Sequence, residues 1–212
     1  MRISTKQIGL SLLVILMSMT SYKSFAYDLK VKNADGVTIF YNYINDGKAL
    51  EVTYSAKSKY SGKVAIPKEV TYMERTRKVT SIGQDAFQDC VDLTSVTIPT
   101  TVKSIGLEAF AGCASLTSVK IPSSVKTIGE SAFTCCYGLT SVTIPNSVTS
   151  VGEMAFKDCS GMTSVIIGNS VTSIGKMAFQ DCSGMTSVII GNSVTSIGEM
   201  AFKGCTLKQV KL

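Results

Sequence analysis

The chain of 212 residues contains no histidine and no tryptophan. Without histidine it lacks the usual general base, the commonest metal ligand and the Ser-His and Cys-His pairs of hydrolases. No glycine-rich phosphate-binding loop and no Cys-x-x-Cys pair occurs. The few carboxylates, such as Glu130, Glu153 and Glu199, recur at matching positions instead of converging on one site. We therefore expect no enzyme activity, no catalytic residues, no metal and no cofactor.

Charge is scarce as well, because Lys and Arg number 21 and Asp and Glu number 15. Three of the basic residues, Arg2, Lys6 and Lys23, lie before Tyr27, so the formal net charge of +6 drops to +3 for the rest of the chain. Proteins that bind nucleic acid carry a clustered basic face. This small and scattered excess predicts no nucleic-acid partner.

Long hydrophobic runs are absent apart from one near the N-terminus, from Ile8 to Met19. Basic residues precede this run, and the small-x-small pattern Ser24-Phe25-Ala26 follows it, as in a cleaved signal peptide. An uncleaved N-terminal anchor is the alternative. We expect an exported chain, secreted or at the cell surface, with no membrane span after Ala26.

What the chain has in abundance is repetition. The seventeen residues CSGMTSVIIGNSVTSIG occur at 159–175 and again, unchanged, at 182–198. Six cysteines recur at one constant 23-residue interval, and a phenylalanine keeps the same interval three positions before each of them. The cysteines are Cys90, Cys113, Cys136, Cys159, Cys182 and Cys205. Self-similarity at such a period predicts a solenoid in which each coil stacks on the next.

Within one unit, Val96 and Ile98 alternate with polar residues, which indicates a strand with one buried face. Pro99 ends this strand, because proline cannot donate a hydrogen bond to the sheet. Ile105 turns inward again, Gly106 permits a sharp turn, and a short helical segment is expected to present Ala109, Phe110 and Cys113 to the core. The prediction is an α/β solenoid of 23-residue repeats with a parallel β-sheet.

The pattern Leu-x-x-Val-x-Ile-Pro, followed by Val-x-x-Ile-Gly-x-x-Ala-Phe-x-x-Cys, resembles the BspA-type leucine-rich repeat of bacterial surface proteins, the Treponema pallidum class. The resemblance covers 61–212. Met162 and Met185 depart from it by replacing the first leucine, and Gly168 and Gly191 by replacing the proline. It implies a protein that adheres to host matrix or cell-surface proteins.

The region before the repeats differs in character. Asn45-Asp46-Gly47-Lys48 separates two stretches of alternating apolar residues, 37–44 and 49–55, which predicts a β-hairpin. Val64 and Ile66 resemble the first repeat strand, and this unit carries a nine-residue insertion around Tyr72–Lys78. We expect a signal peptide at 1–26, a β-hairpin cap at 27–62 and a leucine-rich repeat solenoid at 63–212.

The seven cysteines allow three interpretations. Exported proteins commonly form disulfides, but six of these cysteines share one inward repeat position, where parallel side chains on neighbouring coils stand slightly too far apart for a bond. Buried free thiols are therefore favoured over disulfides, and both over metal binding. Cys135 lies outside the series and is expected to be partly exposed.

The outward positions of the repeat strand form the candidate binding face. One series is uniformly serine, whereas the second changes along the chain and ends in two isoleucines: Thr97, Lys120, Thr143, Ile166, Ile189. We call this second series the outward ladder. Its isoleucines are either an apolar patch for a protein ligand or a tolerated substitution copied by duplication. The alternatives to a binding module are a passive spacer or self-assembling surface unit and, more remotely, an accessory chain to a carbohydrate-active enzyme.

After Cys205 the repeat register slips by one residue, so that Leu207-Lys-Gln-Val210-Lys-Leu212 is predicted to form a strand one position early. An unpaired strand edge favours pairing with another chain. The sequence therefore leaves two outcomes open at the C-terminus, a frayed monomeric end and an edge-strand homodimer.

Overall fold

A computed structural model describes residues 27–56 and 59–212, and the predicted signal peptide lies outside them. The described residues form strands and turns. The strands are β1 Leu29–Lys32, β2 Thr38–Ile44, β3 Ala49–Thr53, β4 Gly62–Ala65, β5 Glu69–Tyr72, β6 Arg75–Ile82, β7 Leu93–Thr97, β8 Ser104–Ile105, β9 Ser118–Val119, β10 Thr127–Ile128, β11 Ser141–Ile144, β12 Ser150–Val151, β13 Ser164–Ile167, β14 Ser173–Ile174, β15 Ser187–Ile189, β16 Ser196–Ile197 and β17 Gln209–Lys211.

Each repeat contributes two strands, and these stack into sheets on two sides of a β-solenoid of about six coils, which we call rungs. The longer strands form the front sheets, β4-β7-β9 and β11-β13-β15-β17. The short strands form the return sheet, β6-β8-β10-β12-β14-β16, which continues at its N-terminal end through β3, β2 and β1. Pairing between rungs is parallel, so the predicted parallel solenoid is confirmed.

The register of the sheets follows the repeat. Val142 pairs with Val165 and Val165 with Val188, in each case one full repeat further along the chain. At the last rung Val188 pairs with Val210, one position short of a full repeat, which confirms the predicted slip. A β-solenoid keeps equivalent side chains in register because every rung repeats the same backbone path.

The helical part of the prediction is wrong, because the segments around Phe110 are turns and the described residues contain no helix. A residue with positive φ interrupts each of these segments, for example Glu108 at 51° and Ser131 at 52°. The amide of Phe110 donates to the carbonyl of Ala132 on the next rung, at 2.8 Å. An α-helix needs that amide for a partner four residues back in its own segment, so stacking replaces the helix.

The front sheet is also less regular than the repeat suggests. Val96 and Val119 lie in one sheet, while Val142, Val165 and Val188 lie in the other, because β9 and β11 do not pair. The prediction that the repeat strands form one parallel β-sheet is therefore wrong at this step. The return sheet crosses the same step through the pair Ile128 and Val151, so the solenoid itself continues.

The core is a set of stacked columns. The phenylalanine rings of neighbouring rungs lie parallel, with centroids 4.8 to 5.3 Å apart and planes within 6°. The members of this column are Phe87, Phe110, Phe133, Phe156, Phe179 and Phe202, and all but Phe202 are fully buried. Gly106 is the first residue of a turn, because its carbonyl accepts a hydrogen bond from the Ala109 amide at 3.4 Å. It also permits close stacking, because a Cβ at this position would stand 2.8 Å from the Gly83 carbonyl carbon on the preceding rung.

The N-terminal strands extend this core. β2 and β3 pair antiparallel across the Asn45–Lys48 turn, which confirms the predicted hairpin, and β3 then runs parallel to β6. The ring of Tyr60 stands 4.6 Å from Phe87, and its hydroxyl donates to the Thr53 carbonyl at 2.9 Å. β4 pairs with β7 as the first repeat strand. The insertion forms the antiparallel hairpin of β5 and β6.

Candidate functional site

All five residues of the outward ladder are exposed on the front of the solenoid. Three of them lie on adjacent paired strands, because Thr143 is opposite Ile166 and Ile166 is opposite Ile189. Thr97 ends β7, and Lys120 follows directly after β9. The structure therefore brings Thr143, Ile166 and Ile189 together and separates them from Thr97 and Lys120 by the break in the front sheet.

Ile166 and Ile189 form a small apolar patch, with 44% and 38% of their surfaces exposed. The next position on the same line is Lys211, which lies opposite Ile189 and which sequence reasoning did not assign to the ladder. Lys120 lies on the other side of the patch, beyond Thr143. The isoleucine pair is thus flanked along the solenoid axis by one lysine on each side.

The break between β9 and β11 opens a shallow groove of about 480 Å³ beside this patch. Its lining is made of two short segments of neighbouring rungs, 118–121, which includes Lys120, and 141–143. The sequence differs at this groove in one respect, because Lys120 replaces the outward threonine. This substitution predicts a change of charge and not an opening in the sheet.

A threonine series holds the rungs together just before the ladder begins. The hydroxyl of Thr163 donates to the Thr140 carbonyl at 3.1 Å, and the hydroxyl of Thr140 donates to the Thr117 carbonyl at 3.3 Å. The second of these bonds crosses the step at which the front sheet is broken. The two rungs therefore stay linked just before the point where β9 and β11 fail to pair.

The cysteine column lies inside the solenoid, away from this face. The seven cysteines are free, five of them are buried, and Cys135 and Cys205 are half-buried. Burial raises the pKa of the Cys113 and Cys136 thiols, and the neighbouring Cys182 thiol raises the pKa of Cys205. Among residues 27–56 and 59–212, no group of three or more His, Cys, Asp or Glu side chains is placed to hold a metal ion.

The 23-residue coil, with its columns of Val, Ile, Phe and Cys, has a direct counterpart among known families. A family model described as a BspA type leucine rich repeat region matches residues 80–210 in six copies. The chain belongs to the BspA-type leucine-rich repeat family. Its members are non-enzymatic repeat proteins, generally modules for protein interaction, and they are often secreted or at the cell surface.

Solved structures with the same fold agree with this assignment. The T. pallidum leucine-rich repeat protein TpLRR is 28% identical with a TM-score of 0.74, covering 82% of this chain and 78% of that one. A leucine-rich repeat protein from Bacteroides ovatus is 29% identical with a TM-score of 0.65, covering 88% and 53%. A leucine rich cell surface protein from Faecalibacterium prausnitzii is 30% identical with a TM-score of 0.62, covering 86% and 54%.

The BspA-type chain described here thus spans about half the length of the Bacteroides and Faecalibacterium proteins. No curated protein sequence matches it significantly. In the described part of the chain, no helix has the length and hydrophobicity needed to cross a membrane.

Proposed function

We propose that this BspA-type chain is an exported, non-enzymatic module that binds protein and acts in adhesion, either secreted or at the cell surface. Three observations support the proposal. The family consists of interaction modules, one neighbour of the same fold is described as a cell surface protein, and the segment 1–26 has the pattern of a signal peptide. We further propose that 27–62 caps the solenoid formed by 63–212.

The observation that carries this proposal is the pair of exposed isoleucines on adjacent strands. Outward positions of a solvated sheet are normally polar, as the serine series beside the ladder is. Burying two half-exposed isoleucines against a partner removes apolar surface from water at about 25 cal/mol per Å². Such a patch beside polar residues is typical of a protein interaction site.

The partner that fits this face is a protein, and host matrix or cell-surface proteins are the class implied by the family. The lysines on both sides of the patch favour carboxylates at the rim of the contact. The groove between β9 and β11 adds a concave edge in which a side chain of the partner fits. Nucleic acid does not fit, because the face has no cluster of basic side chains.

The test compares two double variants in binding to a panel of immobilised extracellular-matrix proteins. Ile166→Ser with Ile189→Ser removes the apolar patch without touching the core. Val91→Ser with Tyr137→Ser is the matched control, because these residues are also exposed, at 52% and 51%, but lie off the ladder. We expect the ladder variant to lose binding by about tenfold or more, as for residues at the centre of an interface, and the control to bind like the unmodified chain.

A passive spacer predicts a different result. In that case the unmodified chain and the ladder variant bind every protein of the panel to the same extent. Equal loss of binding in both double variants would point to general surface hydrophobicity, and the ladder would then have no role of its own.

We also propose that two copies of the chain associate through the edge formed by β16 and β17. Ile197 and Val210 are 51% and 58% exposed, although their counterparts one rung earlier, Ile174 and Val188, are each 1% exposed. Unpaired strand edges with apolar residues readily accept another strand. A second copy offers the same edge, so antiparallel pairing of β17 with its counterpart would cover both.

A further inference from the structure

The hairpin of β5 and β6 projects from the regular solenoid at its N-terminal end. It is the nine-residue insertion of the first unit, and no other repeat carries one. Its strands pair from Glu69 with Lys78 to Tyr72 with Arg75, and only Met73 and Glu74 lie in the turn. The hairpin belongs to the return sheet, whereas the outward ladder belongs to the front sheets. It is therefore separate from the face proposed above.

The turn residues are poor choices for this turn. Met73 and Glu74 both have positive φ, 48° and 60°, which is the geometry for which Asn and Gly are strongly preferred. The β2–β3 turn of the same chain uses Asn45, Asp46 and Gly47 for its positive φ values. Met154 also has positive φ, but its amide donates a hydrogen bond to the Lys176 carbonyl on the next rung. Turn formation thus gives no reason for a methionine at position 73.

Among the residues that the structure describes, Met73 is the most exposed large apolar side chain apart from Leu212, at 77%. Its neighbour Tyr72 is 39% exposed. The positive φ of this bulky residue costs stability in the free protein, and its apolar side chain stays in contact with water. A partner that covers it would offset that cost.

Beside the tip lies a pocket of about 320 Å³, lined by Tyr43, Tyr72, Met73, Arg75 and Arg77. This lining contains two guanidinium groups and no carboxylate. Arg75 and Arg77 are two positions apart on one strand, so they point to the same side of the sheet. Neither makes a salt bridge within residues 27–56 and 59–212. Two guanidinium groups on one side of a strand attract an anion that lies between them.

Arg77 is already held in position. Its Nε donates to the Gly47 carbonyl at 2.6 Å, and its guanidinium carbon stands 4.8 Å from the centre of the Tyr43 ring. Because the side chain is fixed, little conformational entropy is lost when its remaining N–H groups meet a carboxylate. Planar guanidinium groups bind carboxylates in a bidentate manner.

We propose that this hairpin pocket is a second binding site, which takes an acidic segment of a protein partner with apolar residues between its carboxylates. The carboxylates pair with Arg75 and Arg77, and the apolar side chains cover Met73 and Tyr72. The composition favours protein over other anions, because Tyr, Met and Arg are the residues enriched at the centres of protein interfaces. The site acts independently of the outward ladder.

The test measures binding of the full mature chain to a labelled peptide of alternating glutamate and leucine, by fluorescence anisotropy. The same peptide with glutamine in place of glutamate is the reference. We expect the acidic peptide to bind, the glutamine peptide to bind at least about tenfold more weakly, and Arg75→Gln with Arg77→Gln to lose a similar factor. Ile166→Ser with Ile189→Ser should bind the acidic peptide normally, which separates this site from the front face.

Two controls address general charge and folding. Lys103→Gln with Lys126→Gln removes two exposed positive charges from the return side of neighbouring rungs and should change binding less than about twofold. Met73→Gly places the preferred residue in the turn, so its thermal midpoint should stay the same or rise while peptide binding weakens. A weaker peptide complex in a fully stable Met73→Gly variant therefore cannot come from unfolding.

Three results would overturn the proposal. The first is equal loss of binding in the lysine and arginine double variants, which would reduce the effect to net charge. The second is unchanged binding in the arginine double variant. The third is arginine-dependent binding of heparin without binding of the acidic peptide, which would assign the pocket to sulfated polysaccharide.

Discussion

The Sγ atom of Cys136 donates a hydrogen bond to the carbonyl oxygen of Phe110 on the preceding rung, across 3.2 Å. The same bond recurs from Cys113 to Phe87 and from Cys159 to Phe133, at 3.1 and 3.2 Å. Each bond requires the proton of a free thiol, so a disulfide at these positions would remove a donor from the core. The cysteine column is thus a repeated set of side-chain links between rungs.

The first prediction concerns thiol reactivity. In the native protein Cys135 should react first with a water-soluble alkylating reagent, because it is half-buried and outside the hydrogen-bonded column. The five buried cysteines should react only after unfolding, when mass spectrometry should count seven modified residues. Detection of disulfides among the column cysteines in the native protein would contradict this arrangement.

The second prediction is a loss of stability at alkaline pH. Burial raises the pKa of Cys113 and Cys136 above the ordinary value of 9.0, so the folded chain keeps protons that the unfolded chain releases. This stabilisation is complete below about pH 9 and decreases as pH rises toward the folded-state pKa, by at most about 1.4 kcal/mol per pH unit for each thiol. Urea unfolding at increasing pH measures the slope. Cys113→Ala with Cys136→Ala should make it shallower, and an equally steep slope would exclude these thiols as its cause.

The third prediction concerns the phenylalanine column. Phe133 is fully buried between Phe110 and Phe156, whose ring centres stand 5.0 and 5.1 Å away. Phe133→Ala should lower the free energy of unfolding by about 3–5 kcal/mol, because it leaves a cavity between two rungs. Tyr137→Ala, at a residue 51% exposed, is the control and should change stability by less than about 0.5 kcal/mol. A similar unfolding midpoint in both variants would show that the phenylalanine column is not part of the core.

The fourth prediction compares two glycines. A methyl group on Gly129 would stand 2.7 Å from backbone of the preceding rung, whereas on Gly83 it would meet the movable side chain of Glu51. Gly129→Ala should therefore cost about 1–3 kcal/mol of stability as a forced overpacking, and Gly83→Ala clearly less. Denaturant unfolding of both variants checks the order. The reverse order would show that neighbouring rungs separate more easily than the close contact implies.

The fifth prediction tests the proposed edge-strand homodimer. Val210→Lys places a charge on the exposed edge strand without entering the core, since Val210 is 58% exposed. Light scattering should find a dimer of the unmodified mature chain and a monomer of this variant. Val91→Lys is the control and should leave the dimer intact. A dimer that persists in Val210→Lys would place the interface elsewhere.

The repeat makes much of the fold predictable from the sequence. Val142, Val165 and Val188 share one position in the 23-residue period, which predicts that they stack, and the structure pairs them in that order. The Asp46-Gly47 turn signal located the β2–β3 hairpin for a similar reason, because few residues accept its backbone geometry. These features depend on local chemistry repeated many times, which is the kind of signal that a sequence carries clearly.

The predictions from the sequence are wrong where contacts between rungs determine the local structure. The segment at Ala109 and Phe110 has helical composition, but its amides bond to the next rung. Sequence spacing could not reveal the break between β9 and β11, because those units keep the same register as their neighbours. The pocket at Arg77 depends on Tyr43 and Gly47, which lie in the N-terminal hairpin, far earlier in the chain.

The sequence by itself determined the period, the inward columns, the family and the exposed positions of the outward ladder, because each follows from the identity of residues at fixed spacing. The tertiary structure alone decided which of those positions meet. It separated Ile166 and Ile189 from Lys120 at the break in the front sheet, and it brought Arg77 against Tyr43. The physical reason is that a small displacement of a whole coil decides whether backbone hydrogen bonds form between two rungs. No single residue type specifies such a displacement.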